Sequence, residues 1–319
     1  MNQLQRGHAP PPAGARLCVL APWPILTVTI ERSAADEDAV YVHAGGQGVW
    51  VARMVVTLGH SAVLCGPFGG ETGHLVAHLV EAEGIEARPT PVRGDNGSYV
   101  HDRRAGERRV VADVQAAALD RHEADDLFGS ALTSAMACGH LVITGPMHEQ
   151  HMAPSLFARL ATDLGKAGVK VTADVSGSVL ESLEGGLEFL KVSDEELVSG
   201  GYSDDKSEAA VVAGMRRLAY KARHVVVSRA EKGAIALLEG ELVKAHAPAV
   251  SPVDHTGAGD SMSAALAVGC AEGADPRTTL ALGLAAGALN ATRHGRGSGS
   301  SRHIRDFAQH VRFEAVARD

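Results

Sequence analysis

The chain reads as an α/β protein: a central, mainly parallel sheet with helices on both faces and a small β lid. Three observations carry that reading. From about residue 124 onward, continuous apolar strands alternate with helical stretches, the pattern of strands covered on both faces. Two earlier segments, 25–43 and 92–111, alternate apolar with polar residues and turn back on themselves, as hairpins with one wet face do. Finally "PVDHTGAGDSMSAALAVG", residues 252–269, places a small-residue loop between two aspartates at the mouth of a run of helix formers.

The elements follow in order. Residues 1–15 are rich in Pro, Gly and Ala and read as a disordered tail, with no apolar core of a secretory leader. The remainder, 16–319, reads as one domain. "RLCVLA" is a buried strand. "ILTVTIE" and "AVYVHAG", joined by the acidic "RSAADED", form the first hairpin. "GGQGVWVARMVVTLG" enters a helix through glycines and leaves it at Gly59. "SAVLCGPFG" is a strand, and "ETGHLVAHLVEAEG" a helix stopped by Gly84. "GSYVHDRRAGERRVVAD" is the second hairpin, turning at Ala105-Gly106. Strands "HLVITG", "VKVTADVSG", "LEFLKVS" and "HVVVSRA" then alternate with helices near 150–167, 194–199 and 206–221. Two more strands, "GAIALLEG" and "ELVKAHAP", lead to helices near 258–272, 276–291 and 303–315.

Composition narrows the function. A net charge of −8 over 319 residues argues against a nucleic-acid partner. No apolar run is long enough to span a bilayer. The 4 cysteines stand far apart among apolar neighbours, which suits reduced thiols and a cytoplasmic protein. Of the 16 histidines, His74/His78 and His148/His151 have metal-like spacing, but neither pair has a further Cys or carboxylate at ligand spacing. They read as surface residues.

The chemistry concentrates at Thr256–Asp260. The first turn of a helix leaves amides unpaired and carries positive potential. Glycines at 257 and 259 let those amides approach an anion. Asp260 would repel a phosphate, so it is more useful as a base that takes a proton from an attacking alcohol. A second reading stays open, in which Asp260 only complements the helix dipole. A P-loop and a dinucleotide fingerprint are both absent from the sequence.

On these residues the chain resembles the ribokinase-like carbohydrate kinases, specifically the phosphofructokinase-B type. "DHTGAGDSM" resembles that family's C-terminal signature, Asp-Thr-x-Gly-Ala-Gly-Asp. "GGQGVWVARMVVTLG" resembles the N-terminal one, and "GPFGGETG", "VKVTADVSG" and "FLKVSDEEL" fall in family order. The resemblance implies a ribokinase-like sheet with a β lid over a sugar site, and an ATP- and Mg2+-dependent kinase acting on a small sugar or sugar phosphate. It implies Asp260 as general base and the amides of Gly257, Ala258 and Gly259 as anion hole. Nucleotide contacts would come from Thr256, Ser193, Glu196, Ser228, Gly233 and Asn290. Glu196 would organise magnesium through water. Gly45, Gly46, Gln47, Trp50 and Asp260 would face the substrate. Asp254, with "TRHGRGSG" as the other wall, would line a K+ site, and lid strands would pair two subunits into a homodimer.

The departures from the family pattern lie on the substrate side. No acid follows the first strand in "APWPILTV". Gln47 stands for the signature lysine and Trp50 for its asparagine. Gly145-Pro146-Met147 replaces Ser-Leu-Pro, and "GDNGSYV" lacks the lid arginine. Nearer the nucleotide, Ser193 stands for an asparagine and Ala230 for a glycine. Arg103, Arg104, Arg108 and Arg109 could restore phosphate binding, or they could be a solvated hairpin. Trp50 could be a stacking surface or a core aromatic. The lost groups also leave open a family member that binds metabolites without turnover, or a nucleoside kinase.

Overall fold

The computed structural model describes residues 14–145, 152–293 and 295–316. Most of the tail, Pro146, Met147 and the His148/His151 pair lie outside the described residues. The chain begins with β1 (Arg16–Leu20), then the hairpin β2 (Ile25–Arg32) and β3 (Asp38–Gly45). Next come α1 (Gln47–Thr57), β4 (Ser61–Phe68), α2 (Gly70–Ala82), β5 (Glu86–Pro91), and the hairpin β6 (Ser98–Asp102) and β7 (Arg109–Val114). The regular half contains α3 (Arg121–Cys138), β8 (His140–Thr144), α4 (Pro154–Lys166), β9 (Lys170–Asp174), α5 (Gly177–Ser182), β10 (Leu187–Ser193), α6 (Asp194–Ser199), α7 (Glu208–Leu218) and β11 (Ala222–Ser228). β12 (Ala234–Leu238), β13 (Glu241–His246), α8 (Ala258–Ala271), α9 (Pro276–Ala291), α10 (Ser301–Ala308) and β14 (Arg312–Ala315) complete it.

Ten strands form one sheet in the order β14-β13-β12-β11-β10-β9-β8-β1-β4-β5. The run from β11 to β5 is parallel, and β12, β13 and β14 extend one edge antiparallel. Side-chain alternation sorts the core into two layers. Cys18 and Leu20 of β1, Leu141 and Ile143 of β8, and Leu190 and Val192 of β10 pack with residues of α3, α4 and α7. Leu17 and Val19 of β1, with Val142 of β8, pack on the other face with residues of α1, α8 and α9. All four cysteines are free thiols, buried except for the half-buried Cys138.

The two expected hairpins do not stay apart. They join in a four-stranded sheet, β3-β2-β6-β7, with β2 and β6 parallel at its centre. The second hairpin spans 98–114 rather than 92–111, and the strand before it, β5, pairs with β4. The expected helix over 303–315 ends at Ala308. Arg312–Ala315 pairs with the open edge of β13, where its alternating pattern fits an edge strand better than a helix. α3 was not foreseen, since its buried face has only two large residues, Leu127 and Phe128, beside two alanines, and its stripe is faint. Its start is marked by a capping box, Asp120 with Glu123.

Asn96, only 4 % exposed, fastens the lid to the main sheet. Its amide NH2 donates to the carbonyls of Pro24 (2.8 Å) and Pro67 (3.0 Å), and its carbonyl accepts from Gly69 N–H (2.8 Å). It thus ties the entry to β2, the end of β4 and the start of α2. Asn96→Ala leaves three buried backbone groups unpaired, at about 1–3 kcal/mol for each that finds no water. Denaturant unfolding is expected to show a loss of about 3 kcal/mol, and a loss below about 0.5 kcal/mol would contradict this bracket.

Candidate active site

The parallel strands β8 to β11 end along one edge of the sheet. Register places Thr144 beside Asp174, Asp174 beside Lys191, and Ser193 beside Ser228. Strand alternation puts Asp174 and Lys191 on the face covered by α8, because their neighbours Ala173, Leu190 and Val192 fill the opposite core. A lysine and an aspartate buried to 6 % and 3 % exposure must satisfy each other. Lys191 Nζ lies 3.1 and 3.2 Å from the two Asp174 oxygens, and Ser263 Oγ of α8 donates to Asp174 at 2.6 Å.

α8 enters this site at its N-terminus. Gly257 is its N-cap with φ 82°, a left-handed conformation that favours glycine. A Cβ on Gly259 would lie 2.8 Å from Lys191 Nζ, so the ammonium packs directly against the turn. Asp260 is 9 % exposed. Burial, then Asp174, push its carboxyl up to about 7 against the opposing pull of Lys191, a hydrogen bond from Gln47, and Arg296. The Lys191 ammonium is held above its ordinary value: desolvation lowers it, but Asp174, Glu196 and Asp260 outweigh that.

The other expected residues sort as follows. Gln47 brackets the site: its carbonyl accepts from Gly145 N–H at 3.0 Å and its amide donates to Asp174 O at 3.4 Å. Gly45 and Gly46 are buried at the β3–α1 junction. Ser193 and Glu196 form a capping box at α6. Glu196 accepts from Ser193 N–H (2.6 Å) and Oγ (2.9 Å) and has no cationic side chain at ion-pair distance among the described residues. Ser228 ends β11, and Gly233 closes the next turn with φ 80°.

Three expectations change on contact with the geometry. Of the anion-hole amides, that of Ala258 already donates to His255 O at 3.3 Å. Asn290, expected at the nucleotide, is 1 % exposed and works as a brace. It donates to Thr256 O (3.1 Å) and accepts from Gly297 N–H (2.9 Å). Asp254, expected at a cation, accepts from Thr256 N–H (2.9 Å) and Oγ1 (2.6 Å) and faces Arg103 Nη2 at 3.7 Å. His74 and His78 are both exposed on α2, and no metal-binding group of His, Cys, Asp or Glu occurs among the described residues.

A cleft of about 840 Å³ opens under the lid beside this site, lined by Thr27, Thr29, His43, Trp50, His101 and Arg296 among others. Asp260 does not line it. Of the groups that act on Asp260, Arg296 lines the cleft and Gln47 does not. Trp50 is half-buried, with the Arg296 guanidinium 4.4 Å from its ring centroid, so it is a cleft residue rather than a core one. Sequence reasoning gave no role to Asp174, Lys191, Ser263 or His101. Charged residues inside the apolar strands "VKVTAD" and "LEFLKVS" were the available signal.

Known proteins resemble the chain in sequence and in fold. An ATP-dependent 6-phosphofructokinase isozyme 2 of Mycobacterium tuberculosis (strain ATCC 25618 / H37Rv) is 29 % identical over 251 residues, covering 76 % of this chain and 73 % of that one. A 1-phosphofructokinase of Vibrio cholerae is 24 % identical over 283 residues, 86 % of this chain and 87 % of that one. In fold, the chain is similar to phosphofructokinase-2 from Escherichia coli in complex with potassium, with a TM-score of 0.80 at 24 % identity, covering 92 % of this chain and 98 % of that one. It is also similar to Arabidopsis thaliana ribokinase complexed with ribose and ATP, with a TM-score of 0.71 at 20 % identity, covering 93 % and 99 %. The architecture is therefore ribokinase-like. Residues 25–303 match the pfkB family carbohydrate kinases, and the chain belongs to that family.

Proposed function

We propose that the protein transfers the γ-phosphate of ATP to a hydroxyl of a small sugar or sugar phosphate, with Asp260 as general base. Family membership makes the chain a phosphotransferase acting on a sugar hydroxyl. The observation that carries the finer reading is the buried Asp260 carboxyl, poised at about 7 in the first turn of α8 and beside Lys191. A base is most useful when its pKa lies near the working pH.

The step balances as follows. Asp260 accepts the hydroxyl proton while that oxygen bonds to the γ-phosphorus. The bond from phosphorus to the β–γ bridging oxygen breaks, and ADP leaves with that electron pair. The proton on Asp260 passes to solvent when the site reopens. The amides of Gly257, Gly259 and Asp260 at the mouth of α8, with the helix dipole, would meet the charge on the moving group. Lys191 would add a fixed cation against the same turn. Ser193, Ser228, Gly233 and Thr256 would flank the nucleotide.

Magnesium fits the donor set in one way. A single carboxylate, Glu196, stands at the strand edge without a cationic partner, and Mg2+ in such sites is held chiefly by phosphates and water. When bound, it would neutralise phosphate charge. A K+ site is less well supported, since Asp254 already meets Thr256 and Arg103. The outer face of the lid supports a homodimer. Val28 and Ile30 of β2 pair with Val42 and Val40 of β3, and Val40 is 63 % exposed and Val42 40 %. The no-turnover alternative finds no support in a site that keeps its acid and its glycine turn. Among the described residues, no helix is long and apolar enough to cross a membrane.

Three outcomes are expected. Asp260→Asn lowers kcat for ADP release with fructose 6-phosphate or fructose 1-phosphate by about 10²–10⁴-fold, and wild-type rate rises with pH to a plateau above about 7. Undiminished turnover in the variant would remove Asp260 as base. Stability gives an independent check. Between about 4 and about 7 the native state holds a proton that the unfolded chain has lost. The burial penalty thus grows as pH rises and is complete above about 7. Asp260→Asn is then expected to gain a few kcal/mol over wild type at pH 8 and to lose that advantage near pH 4. Light scattering is expected to find a dimer that Val40→Lys converts to a monomer. A monomeric wild type at micromolar concentration rules the lid interface out.

A further inference from the structure

The family resemblance implies a K+ site between Asp254 and the segment 292–299, and the geometry does not fit one. A protein that binds K+ replaces the ion's water shell with several oxygens turned toward one point. Here the oxygens of both walls are turned toward donors of the chain itself. On the first wall, Asp254 Oδ1 accepts from Thr256 N–H (2.9 Å) and Oγ1 (2.6 Å), and Thr256 O accepts from Asn290 Nδ2 at 3.1 Å. The other Asp254 oxygen faces Arg103 Nη2 at 3.7 Å. Where α9 leads into the second wall, Ala291 O accepts from the N–H groups of Val253 (2.7 Å) and Asp254 (3.1 Å), and Asn290 O from Arg293 N–H at 3.1 Å. Further on, Gly295 O accepts from Ser298 Oγ at 2.5 Å and Gly297 O from Thr57 Oγ1 at 3.0 Å. Between them, Arg296 O accepts from Arg53 Nη1 at 3.0 Å.

That last bond brings a fixed cation to the place of a bound one. Arg53 is a half-buried residue of α1. Its Nη2 donates to Ala44 O of β3 at 3.1 Å and to Glu83, the C-cap of α2, at 2.7 Å, and Nε also meets Glu83. One guanidinium therefore joins the lid, α1, the end of α2 and the loop 295–298. An ion pair alone would need only Glu83; the two carbonyls are the kind of oxygen that otherwise coordinates a metal cation. The loop it holds lies under the glycine turn. A Cβ on Gly257, at φ 82°, would lie 3.2 Å from Arg296 Cβ. On its other side the loop touches α1, since a Cβ on Gly297 would lie 2.6 Å from Trp50 O. Arg103 and Arg296 line the same cleft as Asp254, and their charges repel a further cation. A guanidinium stays charged at every working pH and, unlike a bound ion, does not dissociate.

We propose that Arg53 is a built-in substitute for a monovalent cation: it braces the 295–298 loop beneath the turn that leads to Asp260, and the enzyme works without K+ and is not activated by it. Arg53 is a positioning residue, acting through Arg296 O and the Gly257 turn rather than on the reacting atoms. The kinetic arm of the test rests on the kinase reading above, and the binding arm does not.

The full chain, dialysed free of K+, is assayed for ADP release from Mg-ATP with fructose 6-phosphate or fructose 1-phosphate. The chlorides of K+, Na+ and tetramethylammonium are compared at one ionic strength. Values of kcat and KM are expected to agree within about twofold across the three salts, and saturable activation by K+ beyond that overturns the proposal. Arg53→Ala is expected to lower kcat by about 10–100-fold, and millimolar guanidinium, which fits the vacated space, to restore part of the loss. Undiminished activity in the variant, or a loss that guanidinium does not repair, overturns the role of Arg53. If Arg53→Ala does not fold, the salt series on the wild type carries the decision. If neither acceptor releases ADP, the kinase reading fails, and thermal unfolding of the wild type still decides this one. Coincident unfolding curves in the three salts uphold it, and a saturable rise in Tm specific to K+ rejects it.

Discussion

The site depends on one buried charge pair. Lys191 and Asp174 lie side by side on adjacent strands, on the face that α8 covers. Neither can be there alone, since removing one partner of such a pair costs about 3–5 kcal/mol. Their presence fixes what α8 brings to them. Ser263 donates to the same Asp174 carboxylate, and a glycine is needed at 259 because Lys191 Nζ occupies the space of a side chain. Asp260 then arrives in a dry environment with one acid and one cation for neighbours. That balance, rather than any property of aspartate itself, places its proton affinity near neutrality.

The lid side follows another logic. The core side is dry and neutralised, whereas the cleft is wet and carries unpaired positive charge. Arg296 lines the cleft and also acts on Asp260. Asn290 and Asn96 anchor the two movable walls, the first by joining the 256 and 297 loops and the second by fastening the lid to β4 and α2. Both are amides whose hydrogen bonds go to backbone groups, a rigid use of a polar side chain in a buried place.

Much of this was legible in the sequence, and the gaps have physical causes. The parallel strands showed themselves as apolar runs, and the glycine turn with Asp260 stood out as the mouth of a helix. The two lid hairpins were visible, but not their union, because pairing β2 with β6 is a contact between segments about seventy residues apart. α3 was hidden by its faint apolar stripe. β14 was taken for helix because an edge strand of four residues exists only where β13 offers unpaired backbone groups. Asn290 and Asp254 each have hydrogen-bond partners that the sequence, which shows only a polar residue, does not record.

By itself, then, the sequence determined the layers and the glycine turn at the mouth of α8, since both rest on local periodicity and on the backbone freedom of glycine. Only the tertiary structure decided which charges face each other. It paired Lys191 with Asp174, retired Arg104 and Arg109 to neighbouring acids, and set Arg296 across from Arg103 and Arg108. Charge acts through distance in space, and distance between remote segments is fixed by packing, which no local pattern records.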